Sequence, residues 1–389
     1  MKGFKFKGLA AGIKTNGDKD LGIIFSEQPA AAAALFTKNK VAAAPVLLGR
    51  KRIKKGLLQA VLVNSGNANC FTGEQGMEDA VETASLAAKC LGISEELVMV
   101  SSTGVIGAPL PMDLIRNSIP NLTRGMDFNF IDDFSMAILT TDKTAKISQK
   151  QGNINGKKFS VTGTAKGSGM IRPDMATMLA FVCTDLDIPA DMLQLSLKSS
   201  CDRSFNRISV DGDTSTNDTV IALANGMSSA VVKSSKDHMK FQKILDKVLL
   251  DLSRMIVKDG EGATKLAEII VKGAATANDA YKAAEAISQS NLVKTALYGE
   301  DPNWGRIVAA AGRSGAALNP EKLDLRFDNV VLVEKGTWLG EDAEKKAAEI
   351  MKNHELKIIL NLNMGGFTDF FVFCDFSENY VKINADYRS

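Results

Sequence analysis

Residues Lys166 to Asp185, KGSGMIRPDMATMLAFVCTD, join a segment that cannot form a regular element to one that belongs in a core. Gly167, Gly169 and Pro173 exclude a helix or strand before Ala176. From Met178 to Cys183 nearly every residue is apolar, Phe181 and Val182 among them, and a run of that length bounded by loop signals predicts a buried strand. Thr177 therefore stands where loop becomes strand. A small hydroxyl residue there is placed as a nucleophile would be. It is equally what a β-branched residue opening a strand looks like.

The rest of the chain has to support that strand. At 389 residues it exceeds one typical domain, and two lobes are expected. Lys and Arg number 47 against 45 Asp and Glu, so no overall field draws nucleic acid or an anionic membrane. Local clusters such as Lys51 to Lys55 read as solvated edges. The five cysteines are odd in number and widely spaced without a CxxC pair, which argues for a reducing compartment and against structural zinc. The opening MKGFKFKGLAAG is too poor in apolar residues for a signal h-region, and no apolar stretch reaches spanning length. The expectation is a cytoplasmic protein.

Element signals alternate along the chain as in an α/β protein. Strands are expected at Gly22 to Phe25 and Ala42 to Leu48, while Ala30 to Ala34 fits helix or tightly packed strand. A strand from Gln59 to Val63 ends in the turn formers Asn64 to Asn69, and a helix follows from Gly76 to Leu91 with Gly92 as its C-cap. A strand at Val98 to Val100 feeds the loop Ser101 to Gly107, whose backbone N–H groups are expected to be available. A helix over Phe128 to Leu139 and a hairpin from Asn153 to Val161, turning at Asn155-Gly156, lead to Lys166. Beyond the central strand come helices at Met192 to Phe205, Lys240 to Val257, Ala280 to Ser288 and Glu341 to Met351. Strands are expected at Ala267 to Val271, Val330 to Val333 and Leu356 to Leu360, and Ile208 to Thr219 is a polar loop.

Several familiar sites fail on spacing. Asp211-Gly-Asp opens like a calcium loop, but the sixth and twelfth positions are Thr216 and Ala222. Gly167-Ser-Gly169 and Gly260-Glu-Gly262 begin dinucleotide fingerprints whose third glycine would fall at Arg172 and Lys265. A metal site and a bound nucleotide cofactor are therefore not expected. The only histidines, His238 and His354, lie in lysine- or glutamate-rich surroundings and read as surface residues, so a Ser-His-Asp hydrolase is not expected. A threonine freed as an N-terminus would supply its own base, because an α-amine titrates near pH 7.7–8.0. Thr103-Gly104 pairs a hydroxyl with an unhindered backbone N–H, as an oxyanion hole does and as an ordinary turn also does. Lys166, in the glycine loop before Thr177, is a cation suited to an amino-acid carboxylate or to tuning Thr177, and it is also what a solvated lysine looks like.

The segments GSGMIRPDMATMLAF, SSTGVIG, VNSGNANCFTG, SVDGDTSTNDT and GEDPNWGRIVAAAG resemble those of the ornithine acetyltransferase family, the glutamate N-acetyltransferases of arginine biosynthesis, across essentially the whole chain. The resemblance implies an α/β fold, a layered αββα-like sandwich with a smaller C-terminal lobe. It implies self-cleavage between Ala176 and Thr177 into chains 1–176 and 177–389, which pair into a heterotetramer. Thr177 would carry acetyl from N-acetylornithine to glutamate, with Thr103 and Gly104 as oxyanion donors. Substrate contacts are implied for Thr140, Lys166, Glu261, Asn384 and Ser389. No resident cofactor is implied, and acetyl-CoA as a second donor is left open. Thr141 to Lys146 departs from the family pattern, which has Thr after the Asp and Pro before the Lys. Two other readings stand beside this one: an N-terminal-nucleophile amidohydrolase or aminopeptidase with water as acceptor, and a non-enzymatic ligand-binding protein.

Overall fold

A computed structural model describes residues 1–172 and 178–386. It divides into two units, the first built from Met1–Asn206 and Asp213–Ile256, the smaller second from Arg207–Gly212 and from Val257 onward. Each unit is one mixed sheet with helices, which gives the α/β class and the smaller C-terminal lobe that the sequence led us to expect.

The strands in chain order are β1 (Phe4–Leu9), β2 (Leu21–Phe36), β3 (Leu57–Asn67), β4 (Val98–Val105), β5 (Lys146–Ile154), β6 (Lys157–Lys166), β7 (Leu179–Thr184), β8 (Ile208–Ser209) and β9 (Thr219–Ala224). In the first unit they run β4-β3-β2-β9-β7-β6-β5, with β1 paired to β2. β6 and β7 are antiparallel neighbours that pair Lys166 with Leu179. The expected cleavage point between them therefore divides one sheet, and does not separate the two units.

All six residues of β7 are buried, because both faces of this sheet are covered. Leu179, Phe181 and Cys183 join one apolar cluster with Phe6, Val61, Val63 and Phe134. The helix Ile131–Ala137 closes that face through Phe134, whose ring meets Phe181 edge-on at 5.5 Å. On the other face Ala60, Leu62, Val98 and Val100 pack with alanines of the helix Gly73–Leu91 and with Ile115 and Ile119 of the helix Met112–Leu122. A strand covered on both sides has no reason to alternate, so its apolar run is continuous.

Several expectations are met element by element. Asn155 and Gly156 take φ of 50° and 81°, the left-handed pair that a two-residue hairpin needs. Gly92 caps the helix ending at Leu91 at φ 68°. Ala30 to Ala34 is strand, held in β2 against β9. Other expectations are corrected. Ala44–Arg52 is a helix rather than a strand, because Pro45 sits in its first turn, where a missing N–H costs nothing. Ser101 to Val105 continues β4 instead of forming a loop, since β3 runs beside it in parallel as far as Asn67. His238 is half-buried and hydrogen-bonded to the Ser196 hydroxyl at 2.6 Å, so it is not a plain surface residue.

The second unit adds β10 (Leu266–Ala274), β11 (Asp324–Phe327), β12 (Val330–Glu334), β13 (Thr337–Trp338), β14 (Glu355–Asn361) and β15 (Phe367–Cys374). Their order is β13-β12-β11-β14-β10-β15-β8. Here one face alternates: Leu356, Ile358 and Leu360 of β14 are buried, while Glu355 and Lys357 are exposed. The buried face packs under Ala280, Ala283, Ala284 and Ile287 of the helix Ala277–Ser288, and under Ala347 and Met351 of the helix Glu341–Met351. Among the described residues no helix is long and apolar enough to cross a membrane, and all five cysteines are free.

Candidate active site

Three of the expected site residues meet within the first unit. Lys166, the last residue of β6, has its side chain only 5% exposed. Its ammonium donates to Thr140 Oγ1 at 2.8 Å and to Thr103 Oγ1 at 3.4 Å. Thr103 and Gly104 lie near the end of β4, and Thr140 follows the helix Ile131–Ala137. Gly104 has φ 135°, a conformation open to glycine and strained for other residues.

The direction of these bonds matters chemically. A hydroxyl that accepts from an ammonium keeps its own proton to give elsewhere. The Lys166 charge also polarises that O–H. Thr103 is thereby left as a donor, as an oxyanion hole requires.

Asp142 completes the cluster and was not singled out by sequence. Its side chain is wholly buried and receives the Lys146 ammonium at 2.7 Å, Gly167 N–H at 2.6 Å and Thr140 N–H at 3.2 Å, with the Lys166 ammonium at 3.8 Å. Burial alone would raise its pKa, but the charges of Lys166 and Lys146 and these hydrogen bonds outweigh it and hold the carboxyl at about 2. Asp142 is thus an anion that fixes the start of the glycine loop through Gly167 and aligns Lys166. Its partner Lys146 lies in the same departing segment, Thr141 to Lys146.

Within the second unit Glu261 and Asn384 come together: the Asn384 amide, on the helix Glu378–Asp386, donates to Glu261 Oε2 at 2.8 Å. Ala176, Thr177 and Ser389 lie outside the described residues.

The family model described as the ArgJ family matches residues 5–389. The chain belongs to the ArgJ family. Two ArgJ relatives, both named arginine biosynthesis bifunctional protein ArgJ, come from Syntrophotalea carbinolica and Geobacter sulfurreducens. Each is 49% identical over all of this chain, and the match covers 99% and 100% of them respectively. A crystal structure of the argJ protein from Bacillus halodurans is 41% identical, covering 53% of this chain and 98% of that one, with a TM-score of 0.51.

Other groups border this cluster in the ArgJ-family chain that sequence reasoning passed over. Lys14 packs its Cγ close to Gly66, and its ammonium feels the charges of Lys166 and Asp142, while burial lowers its pKa. Asn217 and Asp218 lie in the polar loop that matches the family as a segment, with no role given to either residue. Asn217 donates to the carbonyls of Ala68 and Ser102, and Asp218 accepts from Met178 N–H. No spacing rule marks such residues, because their partners are backbone atoms more than a hundred residues away, or forty for Met178.

Proposed function

We propose that this chain is a self-cleaving glutamate N-acetyltransferase that moves acetyl from N-acetylornithine to glutamate through Thr177. The observation carrying this reading is the Lys166 ammonium donating to the Thr103 hydroxyl beside Gly104, which leaves a polarised donor and a glycine N–H on one strand.

In the first step Thr177 Oγ attacks the Ala176 carbonyl carbon, the peptide C–N bond breaks, and water opens the resulting ester. That leaves the Ala176 carboxylate and a free Thr177 α-amine. In turnover the α-amine takes the Oγ proton as Oγ attacks the acetyl carbonyl of N-acetylornithine. Thr103 O–H and Gly104 N–H hold the oxyanion, ornithine leaves with the proton, and Thr177 is left as its acetyl ester. The glutamate α-amine then attacks that ester, the bond between Thr177 Oγ and the acetyl carbon breaks, the amine's proton passes to Oγ through the Thr177 α-amine, and N-acetylglutamate departs.

Lys166 and Thr140 are assigned to groups shared by the two amino acids, and Glu261 with Asn384 to the ornithine side. Free cysteines favour the cytoplasm, and paired pieces would assemble as a heterotetramer.

The deciding experiment supplies N-acetylornithine to purified protein and measures intact mass, then adds glutamate. An acetyl adduct on the fragment beginning at Thr177 that glutamate discharges as N-acetylglutamate is the expected result. Acetate release independent of glutamate would favour the amidohydrolase, and an intact inert chain would exclude both enzymes. A parallel reaction with acetyl-CoA tests the second donor.

A further inference from the structure

The loop Ser215 to Asp218 has no part in the chemistry just described, yet every residue in it is buried. It is tied down along its length. Thr37 Oγ1 donates to Ser215 O at 2.7 Å, Ala43 N–H to Thr216 O at 3.0 Å, and Thr37 N–H to Asp218 O at 2.9 Å. From this fixed base two adjacent side chains reach in different directions. The Asn217 amide donates to Ser102 O at 2.8 Å and to Ala68 O at 2.6 Å. Asp218 Oδ1 accepts Met178 N–H at 3.0 Å, and Thr219 N–H donates to Met178 O at 3.1 Å. Ser102 directly precedes Thr103, and Met178 directly follows Thr177.

We infer that Asn217 and Asp218 form a two-armed clamp that ties Ser102, the residue before the proposed oxyanion donors, and Met178, the residue after the proposed nucleophile, to one buried loop. The inference rests on the roles proposed for Thr103, Gly104 and Thr177. Both residues are positioning residues, acting through the backbone of their neighbours.

A purely structural turn would not require a carboxyl here. Asp218 is 1% exposed, and its Oδ2 has no hydrogen-bond partner among the described residues. The Ser215 and Thr37 hydroxyls lie beside this carboxyl and favour its charged form, while Thr37 Oγ1 donates to Ser215 O and Ser215 Oγ accepts Asn217 N–H at 3.0 Å. Burial pushes the Asp218 carboxyl well above the usual range, against the Met178 N–H and the Lys166 charge. An asparagine reproduces the shape of this side chain and the acceptor oxygen that Met178 N–H requires.

The test uses the full chain with Asp218→Ala, Asp218→Asn and Asn217→Ala, following fragment formation, kcat, KM and Tm. Misplacing reacting groups by about 1 Å costs on the order of 100-fold. Asp218→Ala and Asn217→Ala are expected to slow cleavage and to lower kcat about 10- to 100-fold with KM little changed. Asp218→Asn is expected to restore both cleavage and kcat to near the parent. Should Asp218→Ala not accumulate, Asn217→Ala and Asp218→Asn carry the decision. Normal kcat in the alanine variants despite a lower Tm would overturn the clamp, as would Asp218→Asn being as impaired as Asp218→Ala. If the parent protein cleaves but transfers no acetyl, the proposed function fails, and the clamp is still judged on the cleavage rate.

Discussion

A Cβ placed on Gly104 would stand 2.3 Å from the carbonyl carbon of Gly66 and 2.5 Å from the amide nitrogen of Asn67. The two strands thus approach more closely than any side chain permits, and Gly104 is held there at φ 135°. Gly104→Ala must therefore push β3 and β4 apart and strain its own backbone. We expect a destabilisation of roughly 2 kcal/mol or more with loss of cleavage, read by urea unfolding and by fragment formation on gels. A soluble, fully cleaved variant of unchanged midpoint would show that the close approach is dispensable.

Thr103→Ala removes one of the two proposed oxyanion donors and leaves Gly104 N–H in place. Acetyl transfer should slow by at least about tenfold while Tm changes little. Thr103→Ser, which keeps the hydroxyl facing Lys166, should recover most of the rate. Equal rates for Thr103→Ala and the parent would return this residue to the role of an ordinary strand position.

Acid should act on the site through Asp142. Its carboxyl is held at about 2 against an ordinary 3.8, so the native state favours the anion. A depressed pKa contributes stability in full above the ordinary value and loses it as pH falls through the folded one. The window is therefore about pH 4 down to about pH 2, and the contribution about 2 kcal/mol. Asp142→Asn should be less stable than the parent at neutral pH, with the gap closing over that window in urea titrations. A gap that stays constant on acidification would remove Asp142 as the linked group.

What the sequence made legible was local. Asn155-Gly156 fixes its hairpin by backbone conformation alone, and the apolar run after Thr177 is strand because nothing polar interrupts it. The helix Glu341–Met351 begins and ends where its charged, helical-period pattern does. Ala42 to Leu48 misled because a short apolar run has no period of its own, and Pro45 suits a first helical turn as well as a strand edge. At the site, Thr103 and Lys166 were visible as chemical types, whereas Asp142 was not: its ion pair with Lys146 spans four residues but lies outside any helix. Asn217 and Asp218 were hidden for a different reason. Their partners are main-chain atoms, and main-chain atoms carry no sequence signal.

The last prediction concerns the charges that the two amino-acid substrates carry. Ornithine and glutamate share an α-carboxylate and an α-nitrogen but carry side chains of opposite charge, so a site serving both must hold the shared groups firmly. Lys166 suits the shared carboxylate, and it also polarises Thr103. Lys166→Ala should therefore impair both half-reactions, with binding weakened about 10- to 150-fold for a lost charge-assisted hydrogen bond. Glu261 is an anion held by the Asn384 amide, and an anion can pair with ornithine's side-chain ammonium but not with glutamate's carboxylate. Glu261→Gln keeps an acceptor for Asn384 while removing the charge. Its damage should fall mainly on KM for N-acetylornithine, leaving the glutamate half-reaction close to the parent. Steady-state kinetics with each substrate varied in turn measure this directly, and equal damage to both half-reactions by Glu261→Gln would refute the charge pairing.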